Sequence, residues 1–174
     1  ETFFGRLYEI GTDDFESQVQ IHLIGANRLA TAVLPGMVKR QRGDVIFIGS
    51  DVALRQRPHM GGYGAAKAGL LAMVTNLQME LEGTGVRVGM VRPGPSSTEQ
   101  GTSRSEATIL HVMPHWEKWG HLRHNGALLP RNVADAIVAM ISAPKGTHLT
   151  LIEVEPEAPV QPDRGHCRGP AGPF

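Results

Sequence analysis

Apolar residues recur at helical spacing early in the chain. Phe15, Val19, Leu23, Ala26, Leu29, Ala30, Val33, Leu34 and Val38 follow the rhythm of a helix with one buried face. Thr12-Asp13-Asp14 gives that helix a start, since carboxylates sit well at the positive end of the helix dipole. It is expected to fade near Pro35-Gly36 and to stop before Arg42-Gly43. The rhythm then changes. Val45-Ile46-Phe47-Ile48 is a short, unbroken apolar run, which suits a parallel strand buried on both faces. A loop rich in Arg, Pro and Gly leads through Gly61-Gly62 to a second helix, Tyr63 to Glu82, punctuated by Gly83 and Gly85. Val86 to Val91 reads as a second strand, stopped by Arg92-Pro93-Gly94. Residues 95–129 are the least regular stretch. Pro130 opens a helix over Arg131 to Ser142, and His148 to Val154 reads as a third strand.

Helices alternating with strands imply right-handed crossovers and a parallel sheet covered by helices on both faces, an α/β fold. In such sheets ligands bind beyond the carboxyl ends of the strands. Ser50 and Pro93-Gly94 lie at those ends, and the Tyr63 helix begins on the same rim. After Glu155 the chain is loaded with Pro, Gly and Arg, so 155–174 is expected to be a disordered tail.

Composition narrows the classes. A length of 174 residues fits one domain or most of one. Lys plus Arg and Asp plus Glu both number 17, so the net charge is zero. That balance argues against nucleic-acid binding by phosphate neutralisation and against a basic membrane-surface patch. Consecutive apolar runs fall short of the ~18 residues of a membrane span, so no membrane partner is expected. The single Cys167 excludes an intrachain disulfide and fits a reducing, cytoplasmic compartment. The N-terminus shows no secretory signal.

The candidate chemistry is Ser50, Tyr63 and Lys67. Ser50 closes the apolar run Asp44 to Gly49, Tyr63 follows it by thirteen residues, and Lys67 follows Tyr63 by four. Positions i and i+4 share a helix face. A phenol with a reference pKa of about 10 is a poor base at neutral pH, and a neighbouring ammonium favours the phenolate and lowers that pKa. Tyr63 and Lys67 can therefore act as a general acid/base unit, with Ser50 donating a hydrogen bond to a carbonyl oxygen. A lone Tyr-x-x-x-Lys is more often a solvated helix face. What lifts this one is its setting between a buried strand ending in Ser and a strand ending in Pro-Gly.

These segments together resemble the short-chain dehydrogenase/reductase family. Those that match are Gly43 to Ser50, Tyr63-Gly-Ala-Ala-Lys-Ala-Gly69, Glu80-Leu-Glu82, Gly85 to Gly94 and Thr98. The resemblance covers about residues 1–154. It implies a Rossmann-like domain, the carboxyl-terminal two-thirds of that fold, and NAD(P)-dependent reduction of a small-molecule carbonyl or oxidation of a secondary alcohol. It implies Tyr63 as the acid/base and Lys67 as ligand of the nicotinamide ribose, with Ser50 orienting the substrate. Pro93-Gly94 would run along the nicotinamide, Thr98 would touch its carboxamide or a phosphate, and 99–125 would form the substrate lid. The cofactor is expected to be NAD or NADP. A homo-oligomer is expected through helices 13–40 and 63–82.

Two departures qualify the resemblance. Where the family has an Asn in its fourth helix, this chain has His22, which could join a proton relay or simply pack beside the site. The family's glycine-rich, phosphate-cradling turn has no counterpart; Gly61-Gly62-Tyr63-Gly64 precedes the wrong helix to serve as one. A catalytically silent fragment or scaffold is therefore the alternative to an active oxidoreductase. A further consequence is that Val45–Ile48 would lack an upstream partner strand and form an exposed edge. His111, His115, His121 and His124 lie in the irregular stretch, but Pro114 interrupts it and no cluster of Cys or carboxylates supports them. No metal site is assigned, and Trp116 and Trp119 are expected to close over an apolar pocket or pack on the core.

Overall fold

The computed structural model describes residues 4–98, 106–121, 124 and 126–159. Helix α1, Thr12–Val19, passes without a break through a π-helical turn, Gln20–Ile24, into α2, Gly25–Lys39. Strand β1 follows at Gly43–Ile48, then a short 3-10 turn at Asp51–Ala53, helix α3 at Gly61–Glu80 and strand β2 at Val86–Pro93. Helices α4, Glu106–Lys118, and α5, Pro130–Ile141, precede the last strand β3, Leu151–Val154.

The three strands form a parallel sheet in the order β1-β2-β3, with Gly43 opposite Val86 and Met90 opposite Leu151. One face is sealed by α2 and α3: Ala30 and Leu34, Leu70 and Val74 pack on Phe47, Val86, Val88 and Met90. Helix α5 covers the other. There Gly89 is required, because an added Cβ would lie 2.4 Å from Met140 Cε and 3.0 Å from the Leu149 carbonyl. Central β2 is the most enclosed strand, whereas β1, expected to be buried on both faces, buries only Phe47 and leaves Ile48 40% exposed, because one of its sides has no neighbouring strand among the described residues. β1 lies at the sheet edge, where the sequence placed it.

Several boundaries differ from the sequence expectations. Helix α2 ends at Lys39, before Arg42 as expected, but does not fade at Pro35-Gly36; a proline removes one backbone hydrogen bond and kinks a helix, yet packing of Leu34, Met37 and Val38 on the core carries the helix through. Helix α3 starts at Gly61, so Gly61-Gly62 is helical, not loop. A Cβ at Gly62 would meet Gln18 Cγ at 3.3 Å, so the glycine lets α1 lie close. The irregular stretch contains α4, which runs through Pro114. β3 begins at Leu151, not His148. The His148 ring instead bonds the Val88 carbonyl at 2.8 Å, taking a position that backbone pairing would have used. The helical run Thr12–Lys39, at 28 residues and a mean hydropathy of 1.2 in its most apolar window, is long and apolar enough to cross a membrane by length and composition. Counting unbroken apolar runs missed this, because Ala, Gly and Thr between the large residues cost little hydropathy. Of the expected tail, 155–159 has no regular structure and 160–174 lies outside the described residues, as do 99–105, 122–123 and 125 of the expected lid.

Candidate active site

Beyond the carboxyl ends of β1 and β2 lies a cavity of about 510 Å³, and His22, Ser50, Tyr63, Lys67, Pro93, Gly94 and Thr98 all line it. The residues expected to be catalytic or cofactor-binding therefore border one space. A larger cavity of about 700 Å³ opens at the opposite end of the sheet, around Gly43, Asp44, Val86 and Arg87. Ligands of parallel sheets bind at the carboxyl ends, so position and chemistry favour the smaller one.

Three elements set the geometry. β1 delivers Ser50, whose backbone is extended (φ −165°, ψ 151°) and whose Oγ accepts from Val52 N at 3.3 Å, capping the 3-10 turn. The same hydroxyl lies 3.3 Å from Asp51 Oδ1, a bond long enough to be exchanged for a better acceptor. Helix α3 presents Tyr63 and Lys67 on one face. Lys67 is only 8% exposed, and its Nζ donates to the Ile48 carbonyl at 2.8 Å while lying 5.6 Å from the centre of the Tyr63 ring. Burial pushes the Lys67 ammonium down to about 8.

The π-turn contributes His22. A π-turn inserts an extra residue per turn and often occurs at functional sites. Here it directs the His22 ring edge-on to Tyr63, centroids 5.0 Å apart at 90°. Burial first and the Lys67 charge second hold the imidazole well below its usual value, at about 4, so it is neutral at pH 7. Its buried Nε2 has no hydrogen-bond partner among the described residues, an arrangement that suits a water or a substrate hydroxyl.

Sequence reasoning missed part of the wall. Asp51 and Arg57 form a buried, two-pronged ion pair on the cavity rim. Trp116 borders the cavity as expected, lying over Arg57 and donating from Nε1 to the Pro58 carbonyl at 2.8 Å, whereas Trp119, given the same expectation, is 65% exposed. Ile109 and Trp116 of α4 close the cavity from the side expected to be the lid. The signal for α4 was legible: Ile109, Val112, Met113 and Trp116 keep helical spacing. For the ion pair only the adjacency of Asp51 to Ser50 was visible.

The chain is similar to known proteins in sequence and in fold. A family model described as short chain dehydrogenase matches residues 3–108. An NADP-dependent 3-hydroxy acid dehydrogenase from Salmonella typhi is 32% identical over 152 residues, covering 86% of this chain and 58% of the relative. A glycine betaine reductase from Emericella nidulans is 27% identical over 154 residues, 88% of this chain and 12% of the relative. Among solved structures, the closed form of a serine dehydrogenase complexed with NADP+ matches with a TM-score of 0.75 at 27% identity, over 88% of this chain and 60% of that one. An alcohol dehydrogenase from the archaeon Thermococcus sibiricus, complexed with 5-hydroxy-NADP, matches at 0.69 and 25%, over 88% and 58%. The chain thus spans less than two thirds of the length of these relatives.

Proposed function

Given that the chain belongs to the short-chain dehydrogenase family, we propose that it carries the proton-handling half of an NAD(P)-dependent oxidoreductase site for a small carbonyl compound or secondary alcohol. The observation that carries this reading is the convergence of Ser50, Tyr63, Lys67 and His22 on one cavity, with the Lys67 ammonium buried against the Tyr63 ring. The relatives described above as NADP-dependent or bound to NADP support the cofactor class.

The donor set fits the nicotinamide-ribose half of such a cofactor. An ammonium carries three N–H donors and the Ile48 carbonyl uses one, which leaves two for ribose hydroxyls. Pro93 and Gly94 offer a flat backbone surface for the ring, and Thr98 a hydroxyl for its carboxamide. A bound dinucleotide would supply or accept the hydride.

The chain's own residues handle the oxygen. In the reducing direction the Tyr63 hydroxyl gives its proton to the substrate carbonyl oxygen as charge develops there. The Ser50 hydroxyl turns from Asp51 to donate to that same oxygen, holding it beside Tyr63. The Lys67 charge favours the phenolate left behind. Neutral His22, with Nε2 turned to the buried space, orders the water through which Tyr63 regains a proton. In the oxidising direction each proton transfer reverses. Residues 99–125 act as the substrate lid, with α4 as one wall.

A second copy of the chain covers the outer faces of helices 13–40 and 63–82. Ile21, Leu29 and Val33 stand 51%, 71% and 41% exposed on the first of these. Such a row of large apolar side chains is more than scattered surface exposure.

The test is a panel of aliphatic ketones, aldehydes and 2- and 3-hydroxy acids, followed by nicotinamide absorbance with the protein that carries this chain. Turnover of at least one class, dependent on NADP(H) or NAD(H), is expected. A protein that binds neither dinucleotide and turns over none would favour the silent scaffold.

A further inference from the structure

Away from the cavity chemistry, the structure gathers three histidines that the sequence keeps far apart. His59 lies in the loop before α3; His111 and His115 stand one turn apart on α4. One ligand nitrogen from each falls within 4.8 Å of the other two. The ring centroids are 5.2 Å (His59–His111), 4.7 Å (His59–His115) and 5.9 Å (His111–His115) apart. The sequence pattern showed the i, i+4 pair but gave no reason to join His59 to it.

We propose that His59, His111 and His115 bind one divalent transition cation of the Zn2+ class, tying α4 to the segment that leads into the helix bearing Tyr63. Nothing in the mechanism above uses these residues, so the site stands apart from that reading.

Three points support it. First, the spacing is within reach. Zn–N bonds of about 2.0–2.1 Å in a tetrahedron place nitrogens about 3.3 Å apart, so no pair in the trio needs to close by more than about 1.5 Å. His111 is exposed, and its side chain is free to rotate inward. Second, the third ligand is fixed. His59 is buried, 6% exposed, and holds φ at +67°, a left-handed conformation that side chains other than glycine rarely adopt. Its carbonyl accepts from Gly5 N at 3.2 Å, and the neighbouring Pro58 carbonyl is bonded by Trp116. The α4 helix is thereby already docked with His115 next to His59. Third, there is room for a fourth ligand. A cavity of about 280 Å³ borders His59 and His115, enough for a water. The cationic residues on that cavity are compensated, Arg6 by Glu9 and Arg57 by Asp51.

Donor chemistry sets the selectivity. Three imidazoles suit Zn2+, Ni2+, Cu2+ or Co2+ and do not suit Mg2+ or Ca2+, which require oxygen donors.

The test is titration of untagged, chelator-stripped protein with Co2+. One equivalent is expected to bind, with the visible d–d absorption of a low-coordinate site, to be displaced by Zn2+ and to be indifferent to excess Mg2+. His111→Asn/His115→Asn, changed only on the helix surface, is expected to bind more than about tenfold more weakly, the loss that even an outer-shell change produces. His121→Asn is expected to bind like the parent. Amide exchange over 106–118 is expected to slow when the cation is loaded. No stoichiometric binding, parental affinity in the double variant, or exchange in α4 that ignores the cation would each overturn the proposal. If the double variant fails to fold, His111→Asn alone carries the same comparison.

Discussion

At the scale of one residue, Lys67 is held where burial costs stability. Its ammonium is held almost out of water with one carbonyl bond, and the downward shift to about 8 measures the cost. Against a reference of about 10.4 that is about 3 kcal/mol of unfavourable burial at neutral pH. The sign follows from linkage: between about 8 and 10.4 the unfolded chain binds more protons than the folded one, so this cost is relieved as pH rises through that window. Lys67→Met removes the charge along with a bond worth about 1.5–3 kcal/mol. We expect it to melt no lower than the parent while turnover falls by at least about 100-fold; a clear loss of stability would contradict the account of the burial. His22 makes the complementary case. Its folded-state value, about 4, lies below the ordinary 6.5. The stability it confers as a neutral group is therefore present above about 6.5 and lost as pH falls towards 4. His22→Asn should flatten the fall in denaturant midpoint between pH 7 and 4.5. An unchanged slope would mean the imidazole is not buried neutral.

At the scale of elements, the regular ones were legible where the periodicity was long or the apolar run unbroken. β1 and β2 and the body of α3 needed only the period of their large side chains. Three of the misses share a cause: punctuation residues were taken at face value. Pro35 and Pro114 both lie inside helices, and Gly61-Gly62 belongs to α3, because tertiary packing outweighs a local preference of about 1–3 kcal/mol. The π-turn at Gln20–Ile24 had no sequence signal, since it keeps the composition of the helix around it. It is nonetheless what aims His22 at Tyr63. That Ser50, Tyr63 and Lys67 come together at one cavity was legible because they sit on or beside simple elements that end at one rim. The Asp51–Arg57 pair and the three-histidine cluster were not, because each depends on how loop 51–60 folds back under α4.

At the scale of the whole molecule, the sheet has β1 at its edge and the 12–39 helical run leaves Ile21, Leu29 and Val33 open to solvent. These apolar side chains fit burial against a second copy. Light scattering at micromolar concentration should report a dimer or larger, and Leu29→Lys should shift it towards monomer without changing the circular dichroism spectrum. A parent monomer would sink the proposed oligomer. The central claim is that Tyr63, held beside buried Lys67, is the group that moves the proton. Tyr63→Phe tests it most directly, in the protein that carries this chain, with turnover and dinucleotide affinity measured together. Turnover is expected to fall by about a thousandfold or more with affinity little changed, as for a residue that acts on the transition state alone. Turnover within about tenfold of the parent would contradict it.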